Sequence, residues 1–151
     1  MRRFSTIAIL AVVAGLLAVS GAGATPSSGV TLTVLAKAEN IEPFEIEAKD
    51  ATDVVILTAT IEPGGTTGWH SHPGPEIAVV KSGTLTVYDG HDPNCAARTV
   101  TAGHGRVQPA NRLHQGKNNG SVPVELYATF VVPRGSPVRA DEAEPRQCAG
   151  R

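Results

Sequence analysis

Three side chains of the types that bind metal ions lie close together in the segment GWHSHPGPEIAVVKSG, residues 68–83. They are His70, His72 and Glu76, in a chain that contains five histidines. In a β-strand, residues i and i+2 point to the same side, so both imidazoles should project together while Trp69 points away. The spacing therefore predicts that two imidazoles share one direction.

A turn and a second segment extend this group. The prolines Pro73 and Pro75 are expected to turn the chain, so that Glu76 begins the next strand with its carboxylate directed at the same interior point. Imidazole and carboxylate together suit Mn, Fe, Co, Ni, Cu or Zn. The segment GHGRVQPANRLHQGKNNG, residues 103–120, adds a further candidate ligand, His114, on a strand that follows a turn.

The elements that must position these side chains are predicted to be strands. Short segments rich in β-branched residues alternate with Gly, Pro and Asn. They cover residues 30–36, 44–48, 53–61, 76–80, 84–89, 98–102, 105–108 and 124–132. No clear helical period occurs beyond the N-terminal segment, so the pattern predicts one all-β domain, a sandwich or barrel.

The N-terminal segment has the features of a secretory signal peptide. Arg2 and Arg3 precede an apolar run at residues 7–19, and small residues at Ala22 and Ala24 suit cleavage after Ala24. The run is shorter than the roughly 20 residues that span a bilayer, which disfavours a permanent membrane helix. We therefore expect a signal-peptide helix at residues 1–24, a domain at 25–132, a polar C-terminal tail at 133–151, and a secreted or periplasmic product.

Charge and cysteine content restrict the partners and the compartment. Loss of Arg2 and Arg3 would take the formal net charge from −1 to −3, and no basic cluster follows, so nucleic acid is an unfavourable partner. The two cysteines, Cys95 and Cys148, are expected to pair in an oxidising compartment and to tether the tail. Two free thiols are the alternative; a metal role is disfavoured because neither cysteine lies beside another pair of ligand-type residues.

Both histidine-containing segments resemble the two motifs of the cupin superfamily. The first has Gly64, five residues, His70, one residue, His72, three residues, Glu76, six residues and Gly83. The second has Gly103, five residues, Pro109, then Asn111 where the family usually has glycine, His114 and Asn118. Asparagine tolerates the positive φ that a turn glycine supplies, so this departure should affect the loop more than the site. Over residues 53–132 the chain resembles a small single-domain, exported cupin.

That resemblance implies a jelly-roll β-barrel around one divalent metal ion, Mn, Fe, Ni, Cu or Zn. Carried over by position, the ligands would be His70, His72, Glu76 and His114, and Glu76 could also accept a proton. Cupin sheets often pair between subunits, so a homodimer is a further expectation. The alternative is a barrel whose histidines are hydrogen-bonded core residues without a metal.

Two classes of function fit this resemblance. One is a metal-dependent oxygenase or oxidase, or a related lyase or isomerase, that acts on a small organic molecule. The other is a non-catalytic module for a small anionic or sugar-like ligand, which the low aromatic content of 4% slightly favours. His91 and His104 are expected on solvated loops outside the site. Trp69 is expected to pack under the N-terminal segment or at a subunit interface.

Overall fold

The computed structural model describes residues 27–39 and 41–151. The predicted signal-peptide helix at residues 1–24 lies outside these residues. The architecture below belongs to the compact unit that spans Thr33–Arg151. Among the residues that the structure describes, no helix is long and apolar enough to cross a membrane.

The regular secondary structure of the described residues is almost entirely β-strand, which confirms the predicted all-β fold. One short 3₁₀ helix, Arg146–Cys148, follows the strands. The strands are β1 Thr52–Ile61, β2 His70–Ser71, β3 Glu76–Ser82, β4 Thr84–Asp89, β5 Arg98–Thr101, β6 Gly105–Gln108, β7 His114–Lys117, β8 Val124–Pro133 and β9 Ala140–Asp141.

Two antiparallel sheets enclose the interior. One has the strand order β1-β8-β3-β6 and the other β5-β4-β7-β2-β9. The chain passes between the sheets several times, as in a jelly roll, so residues that follow one another in sequence can face each other across the core. The segment between β2 and β3 is one such passage: it begins at His72, directly after the strand that contains His70, and leads to Glu76.

The core lies between the sheets and follows the period of two that strands impose. In β8 every second residue is buried: Val124, Leu126, Ala128, Phe130 and Val132. Val80 from β3 and Leu85 and Val87 from β4 complete the same cluster. The alternation of β8 therefore turns one complete face of a ten-residue strand towards the interior.

Six of the predicted strand segments are confirmed, whereas the two N-terminal ones are wrong. Residues 30–36 and 44–48 form no strand, and Val34 and Leu35 remain exposed. β-propensity stabilises a strand chiefly through packing against cross-strand neighbours and burial of one face. Among the described residues, the pairing near these segments is limited to an isolated bridge between Glu39 and His104, so their apolar residues gain no paired neighbour there.

The C-terminal segment contains the predicted disulfide and also a strand that sequence analysis did not predict. β9 pairs with β2, with His70 opposite Asp141 and Ser71 opposite Ala140. Cys148 forms a disulfide with Cys95. A segment interpreted from its composition as a polar tail therefore extends the sheet that carries the first two histidines of the motif.

Candidate metal centre

His70, His72 and His114 converge at one point in the interior. β2 and β7 are neighbours, and His70 lies directly opposite His114 in their antiparallel register. Opposed residues of an antiparallel pair point to the same face, and His72 is two residues further along that face. The three imidazoles are buried, and one ligand nitrogen from each lies within 4.8 Å of the others. The geometry supports the predicted shared direction of His70 and His72.

Backbone carbonyls hold all three rings. Nδ1 of His70 contacts the Gly68 carbonyl at 2.9 Å, and Nδ1 of His114 contacts the Arg112 carbonyl at 2.9 Å. Nδ1 of His72 contacts the Val138 carbonyl at 2.8 Å. A carbonyl can only accept, so each Nδ1 must carry the proton, which leaves the lone pair of the neutral ring on Nε2. Such outer contacts fix the tautomer and the direction of metal-binding histidines.

Glu76 approaches the same point from the opposite sheet. Its Oε2 lies 3.6 Å from Nε2 of His72 and 3.7 Å from Nε2 of His114. The turn before it depends on Gly74, where a side chain would overlap the backbone carbonyl of Val131. The predicted turn thus carries the chain from one sheet to the other and brings the carboxylate to the histidines.

Burial and hydrogen bonding set the protonation of this cluster. Burial lowers the pKa of His70 to about 4 and also lowers the pKa of His72. For Glu76 burial acts to raise the pKa, but the neighbouring imidazoles of His114, His72 and His70 outweigh it and lower that pKa. Two of the imidazoles are therefore neutral near pH 7 and the carboxylate is ionised, the state that a bound metal requires.

One buried atom indicates that a metal ion fits the site. Nε2 of His72 is buried without a hydrogen-bond partner in the described part of the chain. Buried polar atoms in native proteins are normally paired, so an unpaired nitrogen that faces two further imidazoles and a carboxylate needs an explanation. A divalent ion would provide the missing partner, and the imidazole and carboxylate donors suit a transition metal.

A cavity of about 260 Å³ adjoins the cluster. Its walls are mainly apolar side chains of both sheets, including Leu57, Leu85, Leu126 and Phe130. Roughly 300–1,000 Å³ is typical of pockets for drug-sized ligands, so this cavity suits a smaller molecule. The walls also include two arginines, Arg106 and Arg139.

Those arginines and Val138 are lining residues that sequence analysis missed. Arg106 lies in the predicted strand at 105–108, and strand alternation would have placed it on the same face as Gln108. Val138 and Arg139 precede β9 in the C-terminal segment, where no apolar alternation indicates a strand. Only the pairing of that segment with β2 brings them to the cavity.

The other singled-out residues lie away from the cluster. His91 and His104 are exposed, in agreement with the sequence interpretation. Trp69 does point away from the histidines, and among the described residues it packs against the Cys95–Cys148 disulfide. The expected contact of Trp69 with the N-terminal segment or with a second subunit stays a prediction.

Asn111 adopts φ +57°, which confirms that asparagine takes the left-handed conformation expected of the usual turn glycine. Its backbone N–H donates to the carbonyl of His72 at 2.7 Å. The residue that departs from the family motif is therefore compatible with the loop and connects it to the strand that carries the histidines.

Known proteins were compared with the chain by sequence and by structure. No curated protein sequence matches it significantly. A conserved protein of unknown function with a double-stranded β-helix domain, from Klebsiella pneumoniae subsp. pneumoniae, has a TM-score of 0.50 and 22% identity, covering 64% of this chain and 75% of that one. Recombinant oxalate oxidase in complex with glycolate has a TM-score of 0.50 and 28% identity, over 58% of this chain and 45% of that chain.

A further structure, of DMSP lyases, has a TM-score of 0.51 and 20% identity, over 60% of this chain and 44% of that one. The likenesses below a quarter identity show the fold alone. The family model described as the cupin domain matches residues 57–132, half of the chain and both histidine motifs. This chain therefore belongs to the cupin family.

Proposed function

We propose that this protein is a metal-dependent cupin that binds one divalent ion through His70, His72, His114 and Glu76 and acts on a small organic molecule. The observation that carries the proposal is the arrangement of the imidazoles. All three Nδ1 atoms are held by backbone carbonyls, and one Nε2 is buried without a partner beside a carboxylate. Hydrogen-bonded core histidines without a metal would leave that nitrogen unpaired.

The reaction class that fits best is that of an oxidase or oxygenase, or of a related lyase or isomerase. A bound ion would polarise an oxygen atom of the substrate at the coordination positions that the four side chains leave open. The apolar walls of the cavity would exclude water. The three imidazole rings, held by the backbone carbonyls of Gly68, Val138 and Arg112, would keep their orientation. Glu76 is the carboxylate among the described lining residues, which makes it the proposed proton acceptor.

A solved relative supports this class. Oxalate oxidase with bound glycolate shares 28% identity with this chain, although the match covers less than half of that protein. The ion would be Mn, Fe, Ni, Cu or Zn. Zinc would weaken the case for an oxidase because it has no redox chemistry.

A non-catalytic binding module is the second candidate, for a small anionic or sugar-like ligand. One observation favours it: among the described residues that line the cavity, Glu76 is the sole carboxylate, and the three histidines beside it are the proposed metal ligands. A binding module requires only the metal, the cavity and complementary charge.

Export of the protein is part of the proposal. The disulfide between Cys95 and Cys148 supports a secreted or periplasmic product, because such bonds persist mainly in oxidising compartments. The homodimer stays a prediction from the family resemblance.

Metal content tests the centre directly. Elemental mass spectrometry of the tag-free protein, after reconstitution with single divalent ions, should find one ion per chain in the wild type. His72→Ala should lose the ion, whereas His104→Ala should retain it because His104 is exposed and outside the cluster. A wild-type protein without metal, or a His72→Ala protein that retains it, would contradict the proposal.

Turnover then separates the enzyme from the binding module. Metal-loaded protein would be incubated with small organic acids and phenols, with and without oxygen, while NMR follows the organic molecule and an electrode follows oxygen. Glu76→Gln, which keeps an oxygen donor and removes the proton acceptor, should abolish turnover while retaining part of the metal. Saturable binding without conversion of any compound would support the binding module.

A further inference from the structure

Arg106 lies on the same inner face of its sheet as Glu76. β6 and β3 are antiparallel neighbours, with Arg106 opposite Ala78 and Gln108 opposite Glu76. Residues two positions apart in a strand share a face, so Arg106 lies on the same face as Gln108 and therefore on the same face as Glu76. Both Arg106 and Glu76 line the cavity beside the histidines.

The guanidinium of Arg106 has no carboxylate partner in the part of the chain that the structure describes. Its Nη2 donates to the neutral side-chain amide of Gln108. The other arginine of the cavity, Arg139, is already paired: it contacts Asp141 at 2.6 Å and the Thr67 carbonyl at 2.6 Å. Among the described residues Arg106 is thus the cavity arginine that forms no ion pair at contact distance, and Glu76 and Asp89 act on its charge only from farther away.

Such a charge is costly in this environment. Arg106 is half-buried among mainly apolar walls, and burial lowers the pKa of its guanidinium, although arginine remains charged at neutral pH. A partly buried charge without a counter-charge is destabilising, whereas a planar carboxylate matches the guanidinium with two parallel hydrogen bonds. A bound metal would add further positive charge to the same cavity, which favours an anionic ligand still more.

We propose that Arg106 is the specificity-determining residue of this cavity and that the ligand is a small organic acid. Its carboxylate would pair with Arg106 while a second oxygen faces the cluster of His70, His72, His114 and Glu76. The volume of about 260 Å³ restricts the acid to a small one. The contact of the second oxygen with the metal centre rests on the proposed function, whereas the pairing of the carboxylate with Arg106 does not.

Matched acids and amides test the pairing. Glycolate, lactate and pyruvate would each be compared with glycolamide, lactamide and pyruvamide by isothermal titration calorimetry on manganese-loaded protein. Because a hydrogen bond to a charged group is worth more than a neutral one, at least one acid should bind roughly 10- to 100-fold more tightly than its amide. Arg106→Gln should remove this preference. Arg106→Lys, which keeps the positive charge but not the planar pair of N–H donors, should retain part of it.

Two controls exclude unrelated effects. Arg98→Gln changes the net charge by the same amount as Arg106→Gln, but Arg98 is exposed and does not line this cavity. The Arg98→Gln protein should therefore prefer acids as strongly as the wild type does. Thermal unfolding and metal content of Arg106→Gln should stay close to the wild-type values. A purely structural role in holding Gln108 would lower the unfolding temperature and leave the preference unchanged.

The outcomes separate this inference from the proposed function. If the wild type binds one ion per chain but Arg106→Gln keeps the preference for acids, the role of Arg106 is overturned and the metal centre is not. A wild type that binds no acid better than its amide would also overturn the role of Arg106. Absence of metal from the wild type would overturn the metal centre alone. The same titrations on metal-free protein would then test whether Arg106 still selects the acids.

Discussion

The backbone carbonyl of Val138 lies 2.8 Å from Nδ1 of His72 and accepts its hydrogen bond. The two residues are 66 positions apart in the chain. Val138 also lines the cavity and packs against the hydrophobic core. The C-terminal segment therefore holds His72, one of the proposed ligands, in place.

Removal of the disulfide should destabilise the protein and loosen the C-terminal segment. In the chain-entropy model a loop of this length contributes roughly 4 kcal/mol as an upper figure, so Cys148→Ser should lower the free energy of unfolding in urea by up to that amount. Cys95→Ser and the double variant should give the same loss, because all three remove one bond. A clearly larger loss in the double variant would show that the cysteines act independently.

The turn between His72 and Glu76 should not tolerate a side chain at Gly74. The added Cβ of Gly74→Ala would overlap the Val131 carbonyl, so the free energy of unfolding should fall by about 3 kcal/mol or more. Gly103→Ala is the control, because Gly103 has φ +80° but open space around it, and strain alone should cost about 1–2 kcal/mol. Equal losses in chemical unfolding would contradict the steric explanation.

Asn118 should be important for stability although it is outside the proposed ligand set. Its buried side chain donates to the carbonyls of Ile61 and Val122 and accepts from the N–H of Gly120. Asn118→Ala leaves these groups unpaired and should lower the free energy of unfolding by about 3 kcal/mol. Asn119→Ala, at the exposed neighbour, should change it little, and equal effects at the two positions would refute this assignment.

The metal-free protein should lose stability in mild acid. The pKa of His70 falls from 6.5 to about 4 on folding, so between these values the unfolded chain binds a proton that the folded chain does not. The contribution of His70 to the free energy of unfolding is thus fully present above pH 6.5. It is lost as the pH decreases towards 4 and amounts to about 3 kcal/mol. Urea unfolding from pH 7.5 to 4.5 would measure this.

His70→Gln should flatten that pH dependence, because glutamine does not titrate, while His91→Gln should preserve it. A His70→Gln protein with the wild-type pH dependence would assign the acid sensitivity to other groups.

Much of the site could be predicted because it depends on local rules. His70 and His72 share a face through strand alternation, and Gly74 permits the turn that leads to Glu76. Asn111 confirms that the second motif tolerates its substitution. The N-terminal strand predictions failed for a physical reason, since within the part of the chain that the structure describes no partner strand pairs with residues 30–36 to stabilise their strand propensity.

The sequence by itself determined the all-β fold, the cupin motifs and the set of histidines with Glu76, because periodicity and turn residues act over a few positions. The tertiary structure alone decided what surrounds them. Val138 reaches His72 beside the pairing of β9 with β2, and Trp69 packs against the disulfide that joins Cys148 to Cys95. Arg106 donates to Gln108 and, among the described residues, has no carboxylate within ion-pair distance. Such long-range neighbours follow from packing that no short segment encodes.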